Sequence, residues 1–234
     1  MTAAANAARV ASLTARMILE AGAVQHSAAQ PYFLSSGWAS PVYLDFQRLI
    51  SFPRMRASLM DFASQAVLLR AGFEQFDAVA GAESSGIPYA AWIADRLALP
   101  LQYVRRKPRG FGAQAQVEGT LRANERVLLV DDITTDGRSK AALCGVLRAA
   151  GARVEHVLVM FYYDIFPDAR AALDALGIRL HYLATWRDIF AEAKASGYFP
   201  AAVAADVARF IEDPARWSLE HGGIGAFPRA AAGR

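Results

Sequence analysis

Runs of consecutive apolar residues alternate along the chain with stretches whose apolar residues recur at helical spacing. The apolar runs fit strands that are buried on both faces of a sheet. They lie at residues 77–80, 101–104, 127–130, 154–162 and 178–183. The helical stretches lie at residues 53–70, 86–97, 168–176 and 187–195, and another follows residue 137. This alternation predicts an α/β fold, with a mostly parallel sheet flanked by helices on both faces.

The N-terminal part of the chain has a different pattern. Apolar residues at helical spacing predict a helix at 9–23, and Gly22 marks its end. Two short strands are predicted at 32–34 and 42–44, on either side of a turn at 35–41. These elements precede the alternating pattern and are expected to form a small structure beside the sheet.

Composition limits the class of protein. With 234 residues, 54% hydrophobic and 20% charged, the chain suits one α/β domain with a sizeable core. A net charge of +3 is too small to indicate nucleic-acid binding by itself. No apolar run reaches transmembrane length, and the N-terminus lacks the apolar core of a signal peptide. We therefore expect a soluble cytoplasmic protein that binds neither nucleic acid nor a membrane.

Cysteine and histidine positions offer little chemistry. The single cysteine, Cys144, falls inside a predicted helix and is expected to be buried packing. The histidines show no clustering that would suit a structural zinc site. They are His26, His156, His181 and His221.

The Gly- and Ala-rich tail at 221–234 is expected to be flexible.

The stretch from Val127 to Lys140 concentrates the candidate chemistry. A buried strand ends in Asp131 and Asp132, where open α/β sheets place their ligands. The hydroxyl- and Gly-rich turn at 134–139 then leads into a helix, whose N-terminal N–H groups suit a phosphate. The two acids suit sugar hydroxyls, a divalent cation or a developing positive charge. The motif therefore predicts a site for a phosphorylated sugar.

The paired acids also have a purely structural interpretation. An aspartate at the end of a strand often caps the following turn, and one of the two could do only that. Neighbouring side chains on a strand point to opposite faces, so we expect Asp131 and Asp132 to have different partners.

Two further loops follow predicted strands. The basic loop that begins at Arg105 carries four cations and two glycines, which is typical of a lid that closes over an anion such as pyrophosphate. A solvated basic loop or a nucleic-acid contact is the alternative. The turn at 81–88 has small residues that permit close approach to a ligand, although, taken alone, a tight strand-to-helix turn explains it better. Glu83 occupies the position where a nucleophile elbow needs serine.

Together these segments resemble a known family. The strand, the two acids and the turn at 134–139 resemble the phosphoribosyl-pyrophosphate (PRPP) signature of type I phosphoribosyltransferases. Three further segments, in matching order, narrow the resemblance to the orotate phosphoribosyltransferase family. They are the segment at 33–45, the turn at 81–88 and the loop at 105–119. The resemblance spans roughly residues 10–185.

The resemblance implies a fold, a reaction and an assembly. The fold is that of type I phosphoribosyltransferases, here one domain over residues 1–234 with a small N-terminal hood at about 10–50. The reaction transfers phosphoribose from PRPP to orotate, giving orotidine 5′-monophosphate and pyrophosphate in pyrimidine biosynthesis. Mg²⁺ would be bound mainly through PRPP. A homodimer is implied, with the basic loop reaching the site of the neighbouring subunit.

The resemblance also implies roles for individual residues. Asp131 and Asp132 would engage the ribose hydroxyls and stabilise the cationic transition state. The departing pyrophosphate would be neutralised by Arg105, Arg106, Lys107 and Arg109. No residue is implied as a dedicated metal ligand. The residues implied in substrate binding are Ser35, Tyr43, Leu44, Glu83, Ser84, Ser85, Gly86, Arg105, Arg106, Thr134, Thr135, Asp136, Gly137, Arg138 and Ser139.

The chain departs from the family pattern at several positions that are usually basic. Ser35 and Ser85 stand where the family usually has lysines, Arg109 replaces its catalytic lysine, and Phe111 replaces a histidine. Tyr163 lies near the position expected for an arginine that binds the orotate carboxylate. Two alternatives therefore stay open: a phosphoribosyltransferase for a purine or another base, and a non-catalytic, PRPP-sensing regulator. The hood favours orotate.

Overall fold

The computed structural model describes residues 2–27, 30–110, 115–166 and 169–227, and it confirms the α/β prediction. The helices are α1 (Ala3–Glu20), α2 (Pro53–Ala71), α3 (Gly86–Leu97), α4 (Arg138–Ala149), α5 (Ala169–Asp174), α6 (Trp186–Ser196), α7 (Ala201–Glu212) and α8 (Pro214–Glu220), with a 3-10 helix at Phe46–Ser51. The strands are β1 (Val24–His26), β2 (Tyr32–Phe33), β3 (Ala39–Ser40), β4 (Val42–Leu44), β5 (Ala78–Ala82), β6 (Leu101–Val104), β7 (Val117–Glu118), β8 (Arg126–Thr134), β9 (Arg153–Tyr162), β10 (Arg179–His181) and β11 (Ala184–Thr185).

The central sheet has the strand order β10-β9-β8-β5-β6-β7, and β11 also pairs with β9. Every pairing in it is parallel except that of β7, which runs antiparallel to β6. The carboxyl ends of β5, β6 and β8 therefore meet at one edge of the sheet, where α/β folds place ligands.

Helices cover both faces of the sheet, as the apolar runs predicted. Leu128 and Val130 of β8 belong to a core shared with α1, α2, α3 and α6. Val127 and Leu129 belong to a second core, shared with α4 and α5. This alternation continues past the apolar run and decides which way the two acids point.

The hood differs from its predicted pairing. The strands expected around a single turn both exist, but β2 pairs with β3, whereas β4 pairs with β1, which the sequence did not predict. Pro41 has no N–H to continue β3, and the Ser40 hydroxyl bonds the backbone of Val42, so the chain bends between β3 and β4. The hood turn, residues 34–38, closes with a 2.8 Å bond from the Leu34 N–H to the Trp38 carbonyl.

Element boundaries differ most around the acids and at the chain ends. β8 runs four residues beyond the predicted 127–130, because Ile133 and Thr134 still pair with β9. The predicted strand at 178–183 is β10, followed by the separate β11. For the part of the tail that the structure describes, it shows packing instead of flexibility: Phe227 and Ile224 contact the main core. Residues 228–234 lie outside the described residues.

Cys144 is buried, as predicted, and burial raises the pKa of its thiol to about 12.

Within the described ranges, no helix is both long and apolar enough to cross a bilayer. The same ranges hold no cluster of three or more His, Cys, Asp or Glu side chains suited to a metal ion.

Candidate active site

A cavity of about 540 Å³ lies at the carboxyl edge of the sheet, between β8, the start of α4 and the hood. It brings together ten of the residues implied in the site, from four separate segments of the chain. These are Ser35, Ser85, Arg106, Asp131, Asp132, Thr134, Thr135, Asp136, Arg138 and Ser139. The cavity is also lined by Ser36, Gln47, Ile133 and Lys140, to which the sequence assigned no role.

The alternation of β8 sends the two acids to opposite faces of the sheet. Asp131 turns towards α4, where it forms an ion pair with Lys140, and the side chains of both are less than 10% exposed. The Ser85 hydroxyl lies 3.3 Å from Asp131 Oδ1 and 3.0 Å from Asp132 Oδ1. The expectation that the two acids have different partners is therefore right for Lys140, which pairs with Asp131. It is wrong for Ser85, which lies at the end of the strand and contacts both acids.

Burial makes Asp132 hard to ionise. Desolvation, and then the negative charge of Asp131, raise the pKa of Asp132 well above the ordinary aspartate value of 3.8. Its Oδ1 accepts a 2.8 Å bond from the N–H of Ile133, which opposes the rise. A positively charged centre bound against this wall would favour the ionised carboxylate of Asp132, because a nearby opposite charge lowers the pKa of a carboxyl group.

The turn at 134–139 leads directly into α4. Gly137 has φ +74°, a conformation that favours glycine, and a Cβ there would meet Leu173 Cγ at 2.8 Å. Asp136 is buried, accepts a 3.1 Å bond from the Arg138 N–H and pairs with the Arg138 guanidinium. Asp136 therefore orders Arg138, and the N-terminus of α4 faces the cavity with an arginine and hydroxyls around it. This arrangement suits a phosphate.

The turn after β5 brings α3 close to the acids. A Cβ on Gly86 would lie 2.5 Å from the Val130 carbonyl oxygen and 2.9 Å from Asp131 Oδ1. Gly86 itself does not line the cavity, and Ser84 is exposed away from it. The peptide bond between Glu83 and Ser84 is cis. The contribution of this turn to the cavity is the Ser85 hydroxyl, which the close packing of Gly86 makes possible.

The basic loop divides into an anchored part and an exposed part. Glu83 accepts a 2.9 Å bond from the Arg106 N–H, and Arg105 bonds Glu118 at 2.8 Å. Among the loop residues that the structure describes, only Arg106 lines the cavity, whereas Lys107 and Arg109 are exposed and lie outside it. Residues 111–114, including Phe111, lie outside the described residues. Glu83 is therefore a support for the loop in this structure.

The hood contributes serines instead of the implied aromatic and aliphatic residues. Ser35 and Ser36 line the cavity, and the buried Ser36 hydroxyl has no hydrogen-bond partner among the described residues. Tyr43 is 42% exposed outside the cavity, and Leu44 is buried in the main core. Tyr163 is buried too, against the aromatic rings of Phe161, Phe166 and Trp186.

Comparison with known proteins identifies the family. The phosphoribosyl transferase domain family matches residues 50–165. An orotate phosphoribosyltransferase of Ruegeria sp. is 50% identical over 212 residues, covering 91% of this chain and 94% of that protein. The chain belongs to the orotate phosphoribosyltransferase family.

Solved structures agree with this family. The crystal structure of orotate phosphoribosyltransferase from Aeropyrum pernix has a TM-score of 0.67 at 32% identity, covering 80% of this chain and 99% of that one. UMP synthase from Leishmania donovani has a TM-score of 0.72 at 26% identity over 86% of this chain, which spans 42% of that longer protein. The type I phosphoribosyltransferase fold is thereby confirmed.

Lys140 is the most informative residue that the sequence did not assign. It comes three residues after Gly137, in the first turn of α4, and points back to the strand end. A lysine in a predicted helix ordinarily indicates a solvated face. The closeness of Lys140 to the acid pair in the sequence was the signal that could have indicated its role. Gln47 had no such signal, because the 3-10 helix that carries it was not predicted.

Proposed function

We propose that this chain performs the reaction of its family: it transfers the phosphoribosyl group of PRPP to orotate and releases pyrophosphate. With this activity, the chain is a glycosyltransferase of pyrimidine biosynthesis. The observation that carries the proposal is one cavity holding two adjacent buried acids, a phosphate-type helix N-terminus and a basic loop residue.

The donor sugar fits between these groups. The hydroxyls and N–H groups at 134–139, with Arg138, would hold the 5-phosphate. Asp131 and Asp132 would accept hydrogen bonds from the ribose hydroxyls. Breaking the anomeric bond builds positive charge on the sugar. That charge would favour the ionised form of Asp132, whose carboxylate then stabilises it.

Pyrophosphate leaves on the side of the basic loop. Arg106 already lines the cavity, and Lys107 and Arg109 of a neighbouring copy would join it when that copy's loop closes. Arginine keeps its charge at every working pH. Arg109 would therefore stabilise the leaving group through its charge instead of donating a proton.

The residues present also fit Mg²⁺. Mg²⁺ typically binds through one or two carboxylates together with substrate phosphates, and Asp131 and Asp132 offer such oxygens on the cavity wall. When bound with PRPP, the ion would neutralise pyrophosphate charge as the bond breaks.

We also propose a homodimer with shared active sites, in the cytoplasm. The exposed position of Lys107 and Arg109, outside this chain's own cavity, suits a loop that serves a neighbouring copy.

A panel of acceptor bases tests the substrate. Purified protein with PRPP and Mg²⁺ is offered orotate, uracil, hypoxanthine, guanine and xanthine in turn, and pyrophosphate release is followed. We expect turnover with orotate alone. Turnover with a purine but not orotate would assign the chain to another base, and no turnover with any base would favour a PRPP-sensing regulator.

The acid pair is tested separately. Asp131→Asn with Asp132→Asn should abolish transfer, but this variant also leaves Lys140 buried without its partner. Asp132→Asn alone is the cleaner change, because Asp132 forms no ion pair with that lysine. We expect it to lower kcat at least about 100-fold with an unchanged circular dichroism spectrum. Wild-type kcat in Asp132→Asn would remove this carboxylate from the mechanism.

A further inference from the structure

The segment at 218–227, called here the C-terminal brace, is attached to the hood. The Ser218 hydroxyl is fully buried and accepts a 2.9 Å bond from the Ala39 N–H. The Ile224 N–H donates a 3.1 Å bond to the Gly37 carbonyl. The hood turn is therefore held from outside by residues from the far end of the chain.

The packing between brace and hood leaves no spare room. A Cβ on Gly223 would lie 2.4 Å from the Ala39 nitrogen and 2.4 Å from Ser218 Oγ. A Cβ on Gly37 would come 3.3 Å from Ile224 Cδ1. These contacts fix the position of the hood turn, whose Ser35 and Ser36 form one wall of the cavity.

Phe227 lies between the hood wall of the cavity and the opposite wall, which carries Arg138. Its ring lies 5.2 Å from that of the buried Trp38 in the hood and 5.6 Å from that of Phe166 after β9. On another side, the guanidinium carbon of Arg138 lies 5.0 Å from the centre of the Phe227 ring. A guanidinium over an aromatic face is attracted by the ring's quadrupole.

Arg138 is thus held from two directions. Asp136 pairs with its guanidinium from the turn at 134–139, and Phe227 lies against it from the brace. The Arg138 side chain is still 45% exposed, so without these two partners it could adopt many rotamers. A side chain ordered in advance loses less entropy when it binds an anion.

We propose that Phe227, in the brace that holds the hood turn, is a positioning residue for the phosphate end of the donor site and acts through Arg138. This inference rests on the proposed function, since it takes the turn at 134–139 as the phosphate site. The brace lies outside the matched family segment at 50–165 and outside every motif found in the sequence.

The test compares substitutions at position 227. Phe227→Leu keeps an apolar side chain against Trp38 but removes the aromatic face, so its melting temperature should stay close to wild type. We expect it to raise the KM for PRPP about fivefold while kcat stays within about twofold. Phe227→Tyr keeps the ring face and should restore the wild-type KM. Phe73→Ala, at an exposed phenylalanine remote from the cavity, is the matched control and should change neither parameter.

Coupling to Arg138 is measured by a double-mutant cycle. In an Arg138→Met background, Phe227→Leu should weaken PRPP binding by less than about twofold, because the partner through which it acts is gone. A full fivefold effect in that background would overturn the proposed route. So would a Phe227→Leu protein with both the wild-type melting temperature and the wild-type KM.

Binding of ribose 5-phosphate, followed by calorimetry without any acceptor base, separates this inference from the proposed function. A wild-type protein that binds no ribose 5-phosphate contradicts the proposed function itself. A wild-type protein that binds it, beside a Phe227→Leu variant that binds it equally well, contradicts only the role of Phe227.

Discussion

Lys140 and Asp131 illustrate how one buried contact sets the charge of the whole cavity wall. Lys140 forms an ion pair with Asp131, and a second carboxylate, that of Asp132, follows Asp131 directly in the sequence. Asp131 therefore has its counter-charge inside the protein, whereas Asp132 forms no ion pair within the described residues. The two acids are adjacent in sequence and yet electrostatically different, which suits them to different tasks on one sugar.

Replacing Lys140 by methionine should expose this dependence. The variant Lys140→Met keeps most of the volume but leaves Asp131 buried without its cation. We expect the free energy of unfolding to fall by about 3–5 kcal/mol, measured by urea denaturation. Adding Asp131→Asn should recover much of that loss. The control Arg153→Met breaks the exposed pair with Glu155 and should cost less than about 0.5 kcal/mol.

Asp132 should make stability depend on pH in an unusual direction. Its folded-state pKa is raised, so in the window above 3.8 the native state holds a proton that the unfolded chain has released. Stability contributed at this position therefore falls as pH rises through that window. Asp132→Asn removes the ionisable group, and with it the loss of stability as pH rises. Its melting temperature relative to wild type should increase from about pH 4 to about pH 8, and parallel curves for the two proteins would contradict the raised pKa.

At the level of elements, the contact between α3 and β8 decides whether the acids and Ser85 meet. Gly86→Ala would place a methyl group against the Val130 carbonyl and Asp131, both on a central strand that cannot easily move. We expect a loss of about 1–3 kcal/mol in stability together with a lower kcat. Gly145→Ala, in α4 with open space around it, should be neutral or slightly stabilising. Equal stability for both variants would show that the α3 turn adjusts.

The elements whose packing agrees with their local apolar pattern were the ones that the sequence predicted best. The bounds of α3 and β6 match their apolar patterns, because packing and local pattern agree there. β8 continues past Val130 with Asp131 to Thr134, since pairing with β9 outweighs polarity. The hood strands are two or three residues long, and contacts outside each strand, such as the hydrogen bonds that join Ser218 and Ile224 to the hood, help to hold them in place. No local pattern carries that information.

At the level of the whole molecule, the cavity draws on the hood, the α3 turn, the basic loop and the β8–α4 motif. The β8–α4 motif could be recognised as a candidate donor site because its residues are contiguous. Gln47 and Lys140 could not be assigned in this way, since their roles depend on tertiary contacts. The same holds for Phe227, which reaches the site through Arg138.

Shared active sites should appear in a mixing experiment. One variant carries Lys107→Ala and Arg109→Ala, and the other carries Asp132→Asn, so neither should turn over on its own. After unfolding and refolding together, a two-fold dimer with exchanged loops should recover about a quarter of wild-type activity. Refolding each variant alone provides the control. If the mixture stays inactive, each loop serves its own chain.

The attachment of Phe227 and Ile224 to the hood also sets an order of events during protein synthesis. The hood emerges from the ribosome early, whereas the residues that hold it are among the later ones made. At about 5–20 residues per second, the hood waits on the order of 10–40 s for them. During that interval Trp38 lacks its Phe227 neighbour. The nascent chain therefore presents an apolar surface that the finished protein covers, and chaperones that bind such surfaces have time to reach it.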